Sequence, residues 1–275
     1  MEQVISYFTE IPSTHRSIIL FGGLAFFMLI ENVVPLFKTQ YKKGQHLGLN
    51  LFFTFTTVLV NLSMAFALYI VSLWVAENEF GIIHLINAPI FVKMILAVML
   101  LDLIGAWLIH FLEHRIKVLW MFHTIHHSDQ HVDASTANRH HPGESVFRFL
   151  FTCLAVFISG ADVWMIMVYQ SLSVICSQFN HSNINLPIWL DNGLKLLFVT
   201  PHMHRVHHHY KRPLSDKNFG NIFSLWDRLF RTYVVYDNTK LEYGLDTYMD
   251  KEDHSNIIKM LKIPFQAYRS PDDLD

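Results

Sequence analysis

Three apolar runs between Ser17 and Ile109 restrict what this chain can fold into more than any other feature of it. Ser17 to Phe37 is apolar through Ile30, carries Glu31 and Asn32 near its far end and closes at Pro35, with Lys38, Lys42 and Lys43 just beyond. Leu47 to Val75 is longer than the roughly 20 residues a hydrocarbon core requires, and Asn50 and Asn61 within it are tolerable. Pro89 opens the third run, Ile90 to Ile109, where Lys93 can snorkel near one end and Asp102 sits well inside. With 52% apolar residues overall, against roughly 45–50% for a soluble domain, the chain reads as an all-α, polytopic membrane protein.

Two further apolar pieces, Phe147 to Ile158 and Val163 to Ile175, are separated by the breaker Ser159 to Asp162. Each falls short of the roughly 17–25 residues of a full crossing. A helical hairpin that dips into the bilayer and returns fits them better than two tilted spans, and both options leave its ends on one side. Basic residues in short loops mark the cytosolic side, which places Lys38 to Lys43, Arg115 and Lys117 inside and the acidic Glu77 to Glu79 turn outside. The amino terminus is then expected outside. From Pro187 onward the chain turns polar, and Asn218 to Tyr236 is too charged to span, so a cytosolic helical cap is expected there. The organisation expected is residues 1–100 as amino-terminal spans, 101–236 as a catalytic region and 237–275 as a cytosolic tail, ending in the acidic, mobile SPDDLD. The opening MEQVISYFTEIPSTHR lacks the basic start of a cleaved signal peptide. Cys153 and Cys176 both lie in apolar stretches and imply no disulfide framework. A net charge of -2 gives no reason to expect nucleic acid as a partner.

The polar content of the chain is dominated by histidine: fourteen of the eighteen fall between His110 and His209. Nine of them form HFLEH (His110, His114), HTIHH (His123, His126, His127), a single His181, and HRVHH (His204, His207, His208). Residues at i, i+3 and i+4 share one helix face, so each cluster can aim its rings at one point. Neutral imidazole suits iron, zinc, copper and nickel, and the lack of paired cysteines argues against structural zinc or an iron–sulfur site. A catalytic zinc keeps about three protein ligands. Nine are too many for one ion, and two metals are the economical solution. A lone histidine is more often a hydrogen-bonded core residue, but three clusters together are not explained that way.

From about Asp102 to Tyr233 the chain resembles the fatty acid hydroxylase and sterol desaturase superfamily of integral-membrane di-iron oxygenases. Asp102 precedes a first histidine box, His110 and His114. A second box is followed by Ser-Asp in His123 to Asp129. Arg139, His141, Pro142 and Glu144 match an Arg-x-His-Pro-x-Glu segment, and Asn180 to Asn183 an Asn-His-Ser-Asn context. Thr200, Pro201, His204, His207 and His208 match the last box, and Asn218 to Gly220 with Trp226 to Phe230 the closing signature. Some relatives carry a tenth histidine four residues before the one matched by His181. Ser177 stands there in this chain, and His141, His202 or a water could fill the place. His131 and His140 are expected as outer or exposed groups and His202 and His209 as bystanders. His15, His46, His84 and His254 receive no role.

The resemblance implies two iron ions held by the nine histidines, dioxygen as co-substrate, and oxidation of a C–H bond of a lipid or sterol by hydroxylation or desaturation. It also implies a membrane setting, with the site on the cytosolic face of a bacterial inner membrane or endoplasmic reticulum. Electrons must come from outside, because the chain has no GxGxxG fingerprint, and a cytochrome b-type or ferredoxin-type donor is implied. Asp102 is expected to accept the second N–H of a metal-bound histidine, with Asn221 and Asp227 doing the same from the cap. The competing readings are a di-zinc hydrolase and a histidine-lined metal transporter or scaffold. Transport would place ligands along the spans, whereas these boxes lie at or beyond span ends.

Overall fold

A computed structural model describes residues 1–38 and 40–270; the acidic end of the tail, from residue 271, lies outside the described residues. Among those described no strand forms beyond isolated bridges, and the regular structure is helical. Its helices are α1 (Glu2–Thr9), α2 (Ser13–Val33), α3 (Lys43–Glu77), α4 (Ile90–Arg115), α5 (Lys117–His127), α6 (Pro142–Ser159), α7 (Val163–His181), α8 (Ile188–Leu194), α9 (Pro201–His207), α10 (Leu225–Leu229), α11 (Lys251–Ser255) and α12 (Ile257–Lys262).

Four of these, α2, α3, α4 and α6, are long and apolar enough to cross a membrane. The fourth is the first arm of the hairpin. It is longer than its apolar run because His141 caps it, accepting a hydrogen bond from the Gly143 N–H at 2.9 Å, and Pro142 occupies its first turn. The polar residues added at that end turn inward, with Glu144 and Ser145 buried. Leu68 of α3, Ala97 and Leu101 of α4, Val156 of α6 and Met165 of α7 fill the main apolar core.

The hairpin's turn packs against the loop that joins α3 to α4. A side chain on Gly81 would place its Cβ 2.4 Å from the Gly160 Cα, and both glycines have left-handed backbones, φ +107 and +82. His84 Nε2 donates to the Gly160 carbonyl at 3.1 Å. Only glycine admits this approach, which brings the hairpin's tip level with the far ends of α3 and α4. At the opposite end the start of α3, the end of α4, α5, the start of α6, the end of α7 and α9 converge. There Trp120 and Ile125 of α5 pack against Leu245, Tyr248, Met260 and Ile263 from the carboxy-terminal segment.

Candidate metal centre

All nine box histidines are buried at that end and point inward. Tertiary packing divides them in a way the linear boxes do not. His110, His114, His123, His127 and His207 form one group and His126, His181, His204 and His208 the other, with one ring nitrogen from each member within 4.8 Å of its fellows. The HTIHH and HRVHH boxes are both split, since neighbours about 100° apart on a helix cannot face the same point.

The hydrogen bonds show which nitrogen each ring offers. The Nδ1–H groups of His110, His207 and His181 donate to the carbonyls of Phe219 (2.9 Å), Lys217 (2.8 Å) and Ser177 (2.7 Å). Those of His114 and His123 donate to Asp216 (3.1 Å) and Glu144 (2.8 Å). An imidazole that donates from Nδ1 presents a lone pair at Nε2. The Nε2 atoms of His110, His123 and His207 are buried without a partner. His114 Nε2 faces His127 Nε2 at 3.1 Å, and His181 Nε2 faces those of His126 and His204, each at 3.1 Å. Converging buried lone pairs need a cation, and nitrogens bound at about 2.0–2.1 Å to one ion stand roughly 3 Å apart. The residues therefore fit two metal ions.

Burial keeps the rings in the form a metal requires. It holds His123 down to about 3 and pushes His126, His127, His204, His207 and His208 well below the ordinary histidine value, with neighbouring histidines adding to the effect at the last five.

Three residues expected to touch histidines do not. Asp102 accepts the N–H groups of Ile222 and Phe223, each at 3.1 Å, and the Trp226 indole at 2.9 Å. Asp227 accepts from Trp107 (3.0 Å), Phe219 N (2.9 Å), Gly220 N (2.9 Å) and the Thr232 hydroxyl (2.7 Å). The Asn221 amide donates to the Ser173 hydroxyl at 2.8 Å. Their partners lie instead on the loop from Asn218 and on the helices beside it. Asp102 and Asp227 fold that loop, and the loop in turn presents the Phe219 carbonyl to His110.

Neither His141 nor His202 joins either group. Both nitrogens of His141 are engaged, Nδ1 as the α6 cap and Nε2 with the Leu261 carbonyl at 3.3 Å. His202 lies two residues from His204, hence on the other face of α9, 3.6 Å from Asp191. Ser177 offers its carbonyl to His181. His209 and His131 lie outside both groups.

Around the centre stand Glu113, Glu144 and Arg148, to which sequence reasoning gave no role, and His140, expected as an outer or exposed group. Glu144 Oε1 lies 2.8 Å from His123 Nδ1, 2.7 Å from His140 Nδ1 and 2.9 Å from Arg148 Nε, and Arg148 reaches on to Glu113 at 2.5 Å. The His140 ring stacks on His126 with centroids 4.8 Å apart. Charged residues at 113 and 148, inside otherwise apolar helices, were the signal, because such charges persist only when paired. His46, which was given no role, lies 2.9 Å from Asp129 and 3.2 Å from Asp133.

Fold and site together define a polytopic helical membrane protein with a buried nine-histidine centre at one end. The chain belongs to the fatty acid hydroxylase family, whose model matches residues 94–232. It is 31% identical to the alkylglycerol monooxygenase of Caenorhabditis elegans over 160 residues, 58% of this chain and 29% of the relative. With the human alkylglycerol monooxygenase it shares 30% identity over 144 residues, 51% of this chain and 30% of that protein. With the ornithine lipid hydroxylase of Rhizobium tropici it shares 26% over 129 residues, 47% and 38% of the two chains. The matches thus span about a third of the length of these curated relatives. No solved structure matches the chain.

Proposed function

We propose that this protein is a di-iron lipid hydroxylase that inserts one oxygen atom of dioxygen into a C–H bond of a membrane lipid. The other atom leaves as water, and an external cytochrome b-type or ferredoxin-type carrier supplies the two electrons. The observation that carries the reading is the division of nine buried histidines into groups of five and four with their lone pairs converging. Iron rather than zinc suits the chemistry, since zinc does not change oxidation state, and two bound irons would supply the redox change that oxygen activation needs. Relatives named as a monooxygenase and a lipid hydroxylase favour hydroxylation over desaturation.

In this reading His110, His114, His123, His127 and His207 hold one ion and His126, His181, His204 and His208 the other. Asp216, Glu144 and the carbonyls of Phe219, Lys217 and Ser177 fix five of the rings in the tautomer that leaves Nε2 bare. The burial of all nine keeps bulk water from the centre. Lys42 and Lys43 at the start of α3, with Arg115 and Lys117 between α4 and α5, lie at the histidine end and favour a cytosolic site. Clustering at one end speaks against a transport path, which would place ligands along the spans.

The test is incubation of protein-containing membranes with ¹⁸O₂ and a reductant, followed by lipid mass spectrometry. A lipid product carrying one ¹⁸O, absent with His126→Ala, is expected. A product that takes its oxygen from water, or forms without oxygen, would establish the hydrolase instead.

A further inference from the structure

Two short segments beside α4 expose apolar side chains to a degree that water does not tolerate. Segment 188–198 contains α8 and segment 225–230 contains α10. Trp189 is 73% exposed and Leu196 67%, the same as Phe66 (72%) and Leu29 (67%) on the outer faces of the membrane helices α3 and α2. Ile188, Leu197, Leu229 and Phe230 are exposed alongside. Neither segment is long enough to cross a bilayer, so this is not the outer face of a span. Large apolar side chains exposed together outside the spans mark an interaction site.

The two segments are one platform. Ser224 N–H donates to the Leu197 carbonyl (3.0 Å), and the Ser224 hydroxyl and the Arg228 guanidinium both donate to the Lys195 carbonyl (2.8 Å each). The platform is fastened to α4 at a defined depth. Asp102 holds Ile222, Phe223 and Trp226, and Trp107 bonds Asp227 and stacks on the Phe230 ring at 4.4 Å. With Ile90 at the far interface, Asp102 lies ~18 Å along the helix and Trp107 ~25 Å, by the rise per residue. Both depths fall within a hydrocarbon core of about 30 Å.

We propose that segments 188–198 and 225–230 form an in-plane platform whose apolar face is seated in the lipid bilayer, on the leaflet at the histidine end. Its continuity with the membrane-spanning α4 names the bilayer as the occupant. The same loop carries Phe219, whose ring packs on those of His110, His114 and His207 at 5.1–5.5 Å. The platform therefore sets the depth of the histidine centre against the membrane surface.

Single nitroxide labels at Trp189→Cys and Leu229→Cys, in a Cys153→Ser, Cys176→Ser background, would test this in vesicles of phosphatidylcholine with a minor share of phosphatidylglycerol. Labels at Phe66→Cys and Lys240→Cys calibrate bilayer and water. Power-saturation spectroscopy should show both platform labels meeting oxygen more than a nickel chelate, as at residue 66. Chelate access like that of residue 240 would overturn the proposal by placing the platform in water. Protection from both reagents would overturn it equally, by showing a protein cover such as a second copy. The unsubstituted protein gives a second measurement, since a photoactivatable phospholipid should leave adducts within 188–198 and 225–230, and their absence would contradict the seat. No readout here requires metal or turnover, so this proposal and the hydroxylase reading fail separately.

Discussion

At the scale of single residues, the centre is built by what stands behind the histidines. The carbonyl of Ser177 fixes the ring of His181. Asp129 and Asp133 lie buried on either side of His46, with Arg139 3.8 Å from Asp129 and Tyr41 donating to Asp133 at 2.6 Å. Removing one partner of a buried charged set leaves the others uncompensated, at roughly 3–5 kcal/mol. His46→Ala is therefore expected to lower the thermal midpoint in detergent clearly, whereas His15→Ala, at an exposed site, should leave it unchanged. Equal melting of the two variants would remove the network's structural role. The box histidines were legible because i, i+3 and i+4 spacing is a local property. Their division into five and four was not, nor was His46, because both depend on which distant helices meet. Asp102 was legible as a buried, paired carboxylate, yet its partners come from 120 or more residues further along, and two of the three are backbone donors, which have no sequence signature.

Among the elements, the spans were readable from apolar length, and the hairpin from its breaker at Ser159 to Asp162. What the runs concealed was how far α6 extends. Its first two turns carry Glu144, Ser145 and Arg148, whose polarity reads as an interface but which face the protein. The contact between the hairpin tip and the α3–α4 loop was equally hidden, because a Gly81–Gly160 approach is visible only in three dimensions. It makes a sharp prediction. Gly160→Ala would force an L side chain into φ +82 with its Cβ 2.7 Å from the Phe80 carbonyl oxygen, at a cost of about 1–3 kcal/mol. Gly193→Ala, on a helix with open space around it, should be neutral or slightly stabilising. Thermal unfolding of the two variants side by side decides it, and similar midpoints would mean that the tip does not pack as described.

For the molecule as a whole, a membrane bundle carries one polar, densely histidine-lined end. The histidines there should consequently make stability fall with acidification. His123, His126, His127, His204, His207 and His208 have folded values depressed below about 6.5, the unfolded value. Below that pH the unfolded chain takes up protons that the folded centre refuses, so each fall in pH favours unfolding. Through these six histidines metal-stripped protein is expected to lose stability progressively as the pH falls below about 6.5. For His123 the loss would end near pH 3. Denaturation followed across this range would contradict the account if stability rose on acidification. The most direct test of the central claim is the metal content of detergent-purified protein by elemental mass spectrometry, with His207→Ala and His181→Ala measured beside it. Two irons per chain, falling to about one in each variant, is the result the account predicts. Zinc alone, a single ion per chain, or two irons retained in both variants would contradict it.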